Sequence, residues 1–366
     1  MKTSLVATLE SNCKEIFYTQ VEKSVEQQIE DFENAMTHVL GAPHVLALNS
    51  GTSAIHMALT MLDVGPGDPV ICSDLTFVAS ANPIMYRGAE PILVDCDHTW
   101  NMDPKLLRAA ILKSLTLNKK PKAIILVHLY GTPANMHAIM EISKEFNIPL
   151  VEDAAHALGA SYQGKPLGTF GEFGVISFNN NKIITALGGG LLICNNDASV
   201  ERAKYLSTQA KDSKPYYHHR EVGFNYRISP LNASMGLAQL SRLDREVNNA
   251  RNNYQLAWEE LSHYPHIGWQ LCPEGAVANR WRWGVILQKT DPLRLETLRK
   301  ALVAQALPVY RMMYPLHKMP IFENCIKELN GWGQMFFEKG LVFPGQIPSE
   351  QLPGILQLLD LNLREY

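Results

Sequence analysis

Short apolar runs alternate with segments of helical period along the first half of the chain. The runs HVLAL, DPVICS, PILVDC, KAIILVH and PLVEDA are separated by amphipathic segments such as TSAIHMALTML and ANMHAIMEISKEF. A further helical segment, SVEQQIEDFENAMTHVL, precedes the first run. Alternation of strand and helix predicts βαβ units, in which a mostly parallel sheet carries helices on both faces. The predicted fold class is therefore α/β.

The alternation stops after residue 153. Two short strands, GVISF and GLLIC, follow, then a helix near residues 197–208 and the polar loop STQAKDSKPYYHHREVGFNYRIS. From about residue 230 the spacing predicts one long helix, after which strands, helices and loops are mixed. We therefore expect a large domain over residues 1–240 and a smaller C-terminal α+β domain over residues 241–366.

Composition argues against several classes of protein. The formal net charge is −3, which gives no general electrostatic reason to bind nucleic acid. No apolar run approaches the ~18 residues that a membrane span needs, and the N-terminus lacks the apolar core of a signal peptide. The six cysteines lie far apart and show no metal-ligand spacing. We expect a cytoplasmic protein without a metal, a membrane partner or a nucleic-acid partner.

The segment SFNNNKIITALGGG, residues 177–190, places Lys182 between three asparagines and three glycines. A lysine amine can bond covalently to a carbonyl group, including that of pyridoxal phosphate. That cofactor also needs a carboxylate at its pyridine nitrogen and donors for its phosphate, ideally at a helix N-terminus. A solvated lysine and a flexible glycine loop are the alternatives, whereas a dinucleotide loop would require the GxGxxG spacing.

Candidates for the other requirements occur in suitable places. Asp153 ends a predicted strand, where α/β sheets bind their ligands. Gly51 and Thr52 open the helix after the first strand, Ser177 ends the GVISF strand, and Phe77 opens another helix where it could stack on a ring. Each residue alone also fits a helix cap, a turn or a packing role. Their combination in this order favours a pyridoxal phosphate site.

The chain resembles the DegT/DnrJ/EryC1/StrS family of sugar aminotransferases over nearly its whole length. The resemblance lies in LNSGTSAIHMAL, DLTFVASANPIMYRGAEPILVDCD, LVHLYGTPANM, VEDAAHALGASYQGKPLGTFGEFGVISFNNNKIIT and GFNYRIS. It implies the type I fold of pyridoxal-phosphate-dependent aminotransferases, with a mixed, mostly parallel sheet between helices and a smaller C-terminal domain. Relatives that dehydrate sugars carry histidine at the lysine position, so Lys182 favours amination.

The resemblance also implies roles for individual residues. Lys182 would be the Schiff-base lysine, Asp153 the partner of the pyridine nitrogen, and His156 a further cofactor contact. The phosphate would be held by Thr52, Ser177 and the backbone of residues 51–53, including Ser53. Asn225 would reach the phosphate of the neighbouring subunit's cofactor, which implies a homodimer with shared active sites.

The substrates implied are glutamate and a nucleotide-linked ketosugar. The segments FNNNKIIT and LSTQAKDSKPYYHHREVGFNYR most resemble the subgroup that aminates UDP-2-acetamido-2,6-dideoxyhexos-4-ulose at C4, for surface glycans. Candidate substrate contacts are Arg227, Tyr314 and His317, although RMMYPLHKMPIF departs from the subgroup motif by placing Tyr314 where tryptophan is usual. The candidate diphosphate contacts are cations of the polar loop: Lys211, Lys214, His218, His219 and Arg220. A dTDP- or GDP-linked substrate, or a non-catalytic regulatory protein, are the alternatives.

Overall fold

The computed structural model describes residues 24–305, 307–348 and 350–363. Its strands are β1 (His44–Leu48), β2 (Pro69–Ser73), β3 (Glu90–Val94), β4 (Ala123–Val127), β5 (Leu150–Asp153), β6 (Ser161–Tyr162), β7 (Lys165–Pro166), β8 (Phe173–Ser177), β9 (Gly190–Cys194), β10 (Ile267–Trp269), β11 (Ala276–Val277), β12 (Arg282–Leu287), β13 (Tyr310–Arg311), β14 (Ile326–Glu328) and β15 (Gly340–Pro344). Its α-helices are α1 (Val25–Leu40), α2 (Gly51–Met61), α3 (Asn82–Tyr86), α4 (Pro104–Thr116), α5 (Met136–Phe146), α6 (Asp197–Ser207), α7 (Pro230–Leu240), α8 (Leu243–Leu261), α9 (Pro292–Ala304), α10 (Trp332–Lys339) and α11 (Leu352–Leu363).

The large sheet has eight strands in the order β1-β9-β8-β5-β4-β2-β3-β14. The run from β8 to β14 is parallel, and β9 pairs antiparallel with both β1 and β8. The predicted α/β fold with a mixed, mostly parallel sheet is confirmed. Because their directions agree, the carboxyl ends of β2, β4, β5 and β8 lie along one edge of the sheet.

Both faces of this sheet are covered, as expected for strands that are apolar throughout. Successive residues of β2 point to opposite sides: Ile71 belongs to one core, and Val70 and Cys72 belong to the other. The first core is completed by α1, α4 and α5, and the second by α2 and α6. Helix α1 begins at Ser24, whose hydroxyl accepts a hydrogen bond from the Gln27 N–H.

Two predicted helices are interrupted. The helix expected to open at Phe77 is a 3₁₀ turn at Val78–Ser80 followed by the short α3, because Pro83 sits in the first turn of a new helix. The single long helix expected from residue 230 is α7 followed by α8. At the break the Ser241 hydroxyl bonds to the Ala238 carbonyl, which competes with the helical backbone pattern.

The C-terminal segment forms a second sheet of four strands, β10-β12-β15-β13, which packs on α8, α9 and α11. It also returns to the large sheet, where β14 pairs in parallel with β3. The domain division at residue 240 stays a prediction, since residues on both sides of it build the large sheet. Within the described ranges, no helix is both long and apolar enough to cross a membrane. The same residues contain no cluster of ligands suited to a metal ion.

Candidate active site

A cavity of about 240 Å³ opens at the carboxyl edge of the large sheet, beside the N-terminus of α2. It is bounded by the ends of four parallel strands and by the turns that follow them. Its lining includes seven of the residues predicted from the sequence: Gly51, Thr52, Phe77, Asp153, His156, Ser177 and Lys182. Side chains that are up to 131 positions apart in the chain therefore meet around one space.

Lys182 has an unusual electrostatic environment for a lysine. Its Nζ lies 4.9 Å from the centroid of the Trp281 ring. Burial lowers the pKa of Lys182 from 10.5 to about 8; Asp153 opposes this shift and Arg282 adds to it. A substantial fraction of the amine is therefore neutral near physiological pH, and a neutral amine is the form that attacks carbonyl groups and accepts protons.

Asp153 is buried at the end of β5 and is held at both oxygens. Its Oδ2 accepts a hydrogen bond from the Ser80 hydroxyl at 2.7 Å, and its Oδ1 accepts one from the Ala155 N–H at 3.1 Å. The Ser80 hydroxyl is also 3.0 Å from that of Thr76. These hydrogen bonds hold the Asp153 carboxylate in place at the cavity wall. Ser80 and Thr76 were not predicted, although both lie in a motif that resembles the family.

His156 supplies a flat, uncharged ring. Its Nδ1 accepts a hydrogen bond from the Tyr130 N–H at 3.4 Å, and its ring centroid is 4.3 Å from that of Trp281. Burial, reinforced by Lys182 and Arg282, holds the pKa of His156 well below its ordinary value. A neutral imidazole at the cavity wall is suited to stacking on an aromatic ligand.

Trp281 is a site residue that sequence reasoning missed. Its indole N–H donates to the Asn181 carbonyl at 2.8 Å, directly before Lys182. Its backbone N–H donates to Asn279 Oδ1, while the Asn279 amide donates to the carbonyls of His156 and Leu158. The start of β12 is thus hydrogen-bonded to the loop that contains Lys182 and, through Asn279, to the loop that contains His156. No local motif around Trp281 signals this role, since it depends on contacts across about a hundred positions.

The N-terminus of α2 forms an anion cradle. Among the residues that the structure describes, the Thr52 N–H has no hydrogen-bond acceptor, whereas the Gly51 N–H faces the Gly189 carbonyl in a parallel bridge between Ser50 and Gly189. By contrast, the Ser53 N–H donates to the capping Ser50 hydroxyl at 3.0 Å, and Ser53 does not line the cavity. The geometry thus favours Thr52 over Ser53 as a backbone donor to a phosphate.

The glycine run after Lys182 makes this cradle possible. Gly188 lines the cavity, and Gly189 has a φ of +106°, a conformation that side chains disfavour. A Cβ at Gly190 would lie 2.4 Å from the Gly51 nitrogen. The third glycine is therefore required where β9 passes the first turn of α2, so the run is not a flexible linker.

Besides Ser53 and the cations of the polar loop, four predicted site residues do not line this cavity. Arg227 donates to Glu33 Oε1 at 2.7 Å and to the Ala47 carbonyl at 3.0 Å, which joins α1 to β1. Asn225 is exposed, and its Oδ1 accepts from the Gln209 amide at 2.9 Å. Arg227 is thus held in an ion pair with Glu33, and its role as a substrate contact stays a prediction.

The other two residues belong to the segment after β13. His317 is bound to Asp74 through both its backbone N–H, at 2.8 Å, and its Nδ1, at 2.6 Å. Tyr314 is exposed and packs edge-on against Phe337, with ring centroids 4.8 Å apart. His317 thus anchors this segment to the end of β2, and its role as a substrate contact stays a prediction.

The residues present fit pyridoxal phosphate. They offer an amine of lowered pKa, a fixed carboxylate, a neutral ring for stacking, and the unpaired Thr52 N–H at a helix N-terminus. The fold and this site define a pyridoxal-phosphate-dependent aminotransferase of the type I fold. The family model of the DegT/DnrJ/EryC1/StrS aminotransferases matches residues 6–332, and the chain belongs to this family.

Relatives and solved structures agree with this assignment. The chain is 37% identical over 306 residues to GDP-perosamine synthase of Caulobacter vibrioides, covering 82% of this chain and 80% of the relative. It is 34% identical over 305 residues to the UDP-4-amino-4,6-dideoxy-N-acetyl-beta-L-altrosamine transaminase of Campylobacter jejuni (strain 81-176), covering 83% and 80%. A family aminotransferase from Brucella abortus has the same fold, with a TM-score of 0.88, 23% identity and coverage of 98% and 96%.

Proposed function

We propose that the protein transfers the amino group of glutamate to the C4 keto group of a nucleotide-linked 4-keto-6-deoxy sugar. The proposed sugar nucleotide is UDP-2-acetamido-2,6-dideoxyhexos-4-ulose, and the product would serve surface glycan synthesis in the cytoplasm. The observation that carries the proposal is Lys182, which lies in one cavity with Asp153 and the anion cradle of α2. A purely regulatory protein would not need an amine of lowered pKa at this position.

The side chains have distinct tasks. Pyridoxal phosphate, when bound, supplies a carbonyl that exchanges amino groups and a ring that withdraws electrons from the reacting carbon. With the cofactor bound, Lys182 Nζ would take the proton from the Cα of the amino donor and deliver it to the cofactor carbon that had carried the carbonyl oxygen. Asp153 would hold the cofactor at its pyridine nitrogen and keep a proton there, and His156 would stack on its ring and exclude water.

Support for the nucleotide-sugar substrate comes from relatives whose names specify GDP- or UDP-linked sugars. The transaminase name also specifies a 4-amino-4,6-dideoxy sugar with an N-acetyl group, which matches the proposed product class. The GDP-linked alternative is favoured by a relative of slightly higher identity. The nucleotide is therefore the first feature to test.

We expect higher kcat/KM with UDP-4-keto-6-deoxy-N-acetylglucosamine than with 4-keto-6-deoxy sugars on dTDP or GDP. Each sugar would be supplied with glutamate, and the amino sugar would be measured by mass spectrometry. A clear preference for dTDP or GDP would contradict the UDP assignment and leave the aminotransferase assignment intact. Lack of conversion of every sugar, while glutamate still converts the cofactor to its amine form, would contradict a nucleotide-sugar substrate.

The loop at residues 209–222 provides fewer free cations than predicted. Asp212 is bound to His218 Nδ1 at 2.5 Å and to Arg220 Nη2 at 3.1 Å, so both of these side chains are paired within the loop. Lys211 lies over the ring of Tyr217, which is 82% exposed. An ordered loop with an aromatic side chain in solvent is suited to contact with a second subunit. We propose that it borders the neighbouring active site together with Asn225.

Mixing two inactive variants tests this shared site. Lys182→Ala removes the amine from its own site, and Asn225→Asp would place a negative charge beside the phosphate of the partner's site. Random exchange would give about half hybrids, each with one intact site, and so about a quarter of wild-type activity. The control is each variant mixed with itself. Absence of recovery after exchange has been verified by mass-tagged subunits would contradict the sharing of sites.

A further inference from the structure

Arg282, the first residue of β12, has a positively charged side chain to which the proposed mechanism assigns no role. Its guanidinium carbon lies 4.6 Å from the ring centroid of Trp281 and 4.6 Å from that of Tyr310. The side chain is half-buried against these two rings. Contact with aromatic faces restrains a planar guanidinium but leaves the N–H groups at its edge free to donate.

No carboxylate balances this charge within the part of the chain that the structure describes. Burial lowers the pKa of Arg282, and the groups that oppose this shift are the phenols of Tyr130 and Tyr310. Other arginines here have anionic partners, such as Glu33 for Arg227. Desolvating a cation without a counter-ion is costly, which argues that an anion completes this position when the protein works.

The position of Arg282 limits which anion this can be. The same Trp281 ring that contacts Arg282 also lies 4.9 Å from Lys182 Nζ and 4.3 Å from the ring centroid of His156. The distance between the Arg282 guanidinium carbon and Lys182 Nζ therefore cannot exceed the sum of their distances to the Trp281 ring. Arg282 is not part of the cavity lining, but this upper bound leaves its guanidinium within reach of a small amino acid whose nitrogen meets Lys182.

We propose that Arg282 binds the α-carboxylate of the amino donor. This inference rests on the proposed aminotransferase function. In an amino acid the carboxylate is bonded to the carbon that bears the amino group, so it stays within a few bonds of the exchanged nitrogen. The diphosphate of a sugar nucleotide is separated from the C4 keto group by the sugar ring. A carboxylate also matches the planar, two-pronged edge of a guanidinium.

The two half-reactions separate this role from a general loss of activity. Cofactor-loaded enzyme is mixed with glutamate alone, and conversion of the cofactor to its amine form is followed by absorbance. For Arg282→Met we expect kcat/KM for glutamate to fall about 100-fold, because a charge-assisted pair is lost. Arg282→Lys keeps the charge but lacks the planar edge, so its kcat/KM for glutamate should fall less. In the second half-reaction, enzyme with the cofactor in its amine form reacts with the ketosugar. The kcat/KM of that half-reaction should change by less than about threefold.

The identity of the carboxylate is tested with two amides of glutamate. Glutamine keeps the α-carboxylate, and isoglutamine keeps only the side-chain carboxylate. Wild-type enzyme should discriminate strongly against isoglutamine, and Arg282→Met should lose most of that discrimination. Binding of glutarate, which cannot react, should weaken in Arg282→Met when measured by calorimetry. Arg245→Met is the matched control, because Arg245 pairs with Glu246 at the surface.

Several results would overturn the inference. Unchanged glutamate kinetics in Arg282→Met would do so, as would a defect confined to the ketosugar half-reaction, which would indicate diphosphate binding. Loss of discrimination against glutamine would assign Arg282 to the side-chain carboxylate instead. If glutamate failed to convert the cofactor in the wild-type enzyme, the proposed function itself would be overturned. If the wild-type enzyme reacted normally and Arg282→Met reacted equally well, only the role of Arg282 would be overturned.

Discussion

Lys182→Ala is expected to reduce turnover by about 10⁴-fold or more, because one side chain both attaches the cofactor and moves the proton. Trp281, Asn279 and Asp153 are anchored independently of the Lys182 side chain, so the fold should be retained. Turnover would be measured with glutamate and a ketosugar. Reduction of the loaded enzyme with borohydride, followed by peptide mapping, should label Lys182 and leave the variant unlabelled.

The lowered pKa of Lys182 adds a pH signature to this prediction. Only the neutral amine attacks a carbonyl, so capture of pyridoxal phosphate by cofactor-free protein should accelerate as pH rises through about 8 instead of 10.5. Lys119→Ala is the control, because Lys119 pairs with Glu90 at the surface. A borohydride label on another lysine, or a capture midpoint near that of an ordinary lysine, would contradict the assignment.

Asp153→Asn is expected to reduce turnover by about three orders of magnitude with little change in thermal stability. Asparagine has nearly the same shape, but it lacks the charge that holds a proton on the pyridine nitrogen. Its amide could also accept only one of the two hydrogen bonds that Ser80 and Ala155 now donate. Turnover would be measured beside melting temperature and cofactor affinity.

Ser80→Ala is the matched control for this carboxylate. It removes one hydrogen bond to Asp153 and keeps the charge, so we expect a loss of no more than about tenfold. If Asp153→Asn retained near-normal turnover, or if both variants lost activity equally, the charge of Asp153 would not be what the reaction needs.

The positions of residues that could be predicted from the sequence share a physical origin. Parallel strands end at the same edge of a sheet, so a residue at a strand end can be assigned to that edge before any coordinates exist. Asp153, Ser177 and Thr52 were placed in this way, and the cavity lies there. The βαβ order was equally accessible, because each strand and helix has a local period that does not depend on distant residues.

Other outcomes depended on packing between segments that are distant in the chain. Arg227 pairs with Glu33 of α1, and the glycine at 190 is needed because β9 passes the N-terminus of α2. The return of β14 to the large sheet likewise follows from its pairing with β3, which no period in the sequence announces.

The sequence by itself therefore determined the fold class, the family resemblance and the residues at strand ends. Tertiary structure alone decided which surfaces close the cavity. Trp281 reaches Lys182, and Arg282 packs on the same indole, only because the start of β12 folds back against the loops after β5 and β8. The physical reason is that local periods fix the direction of each element, whereas contacts between elements depend on burial, charge pairing and shape across the whole chain.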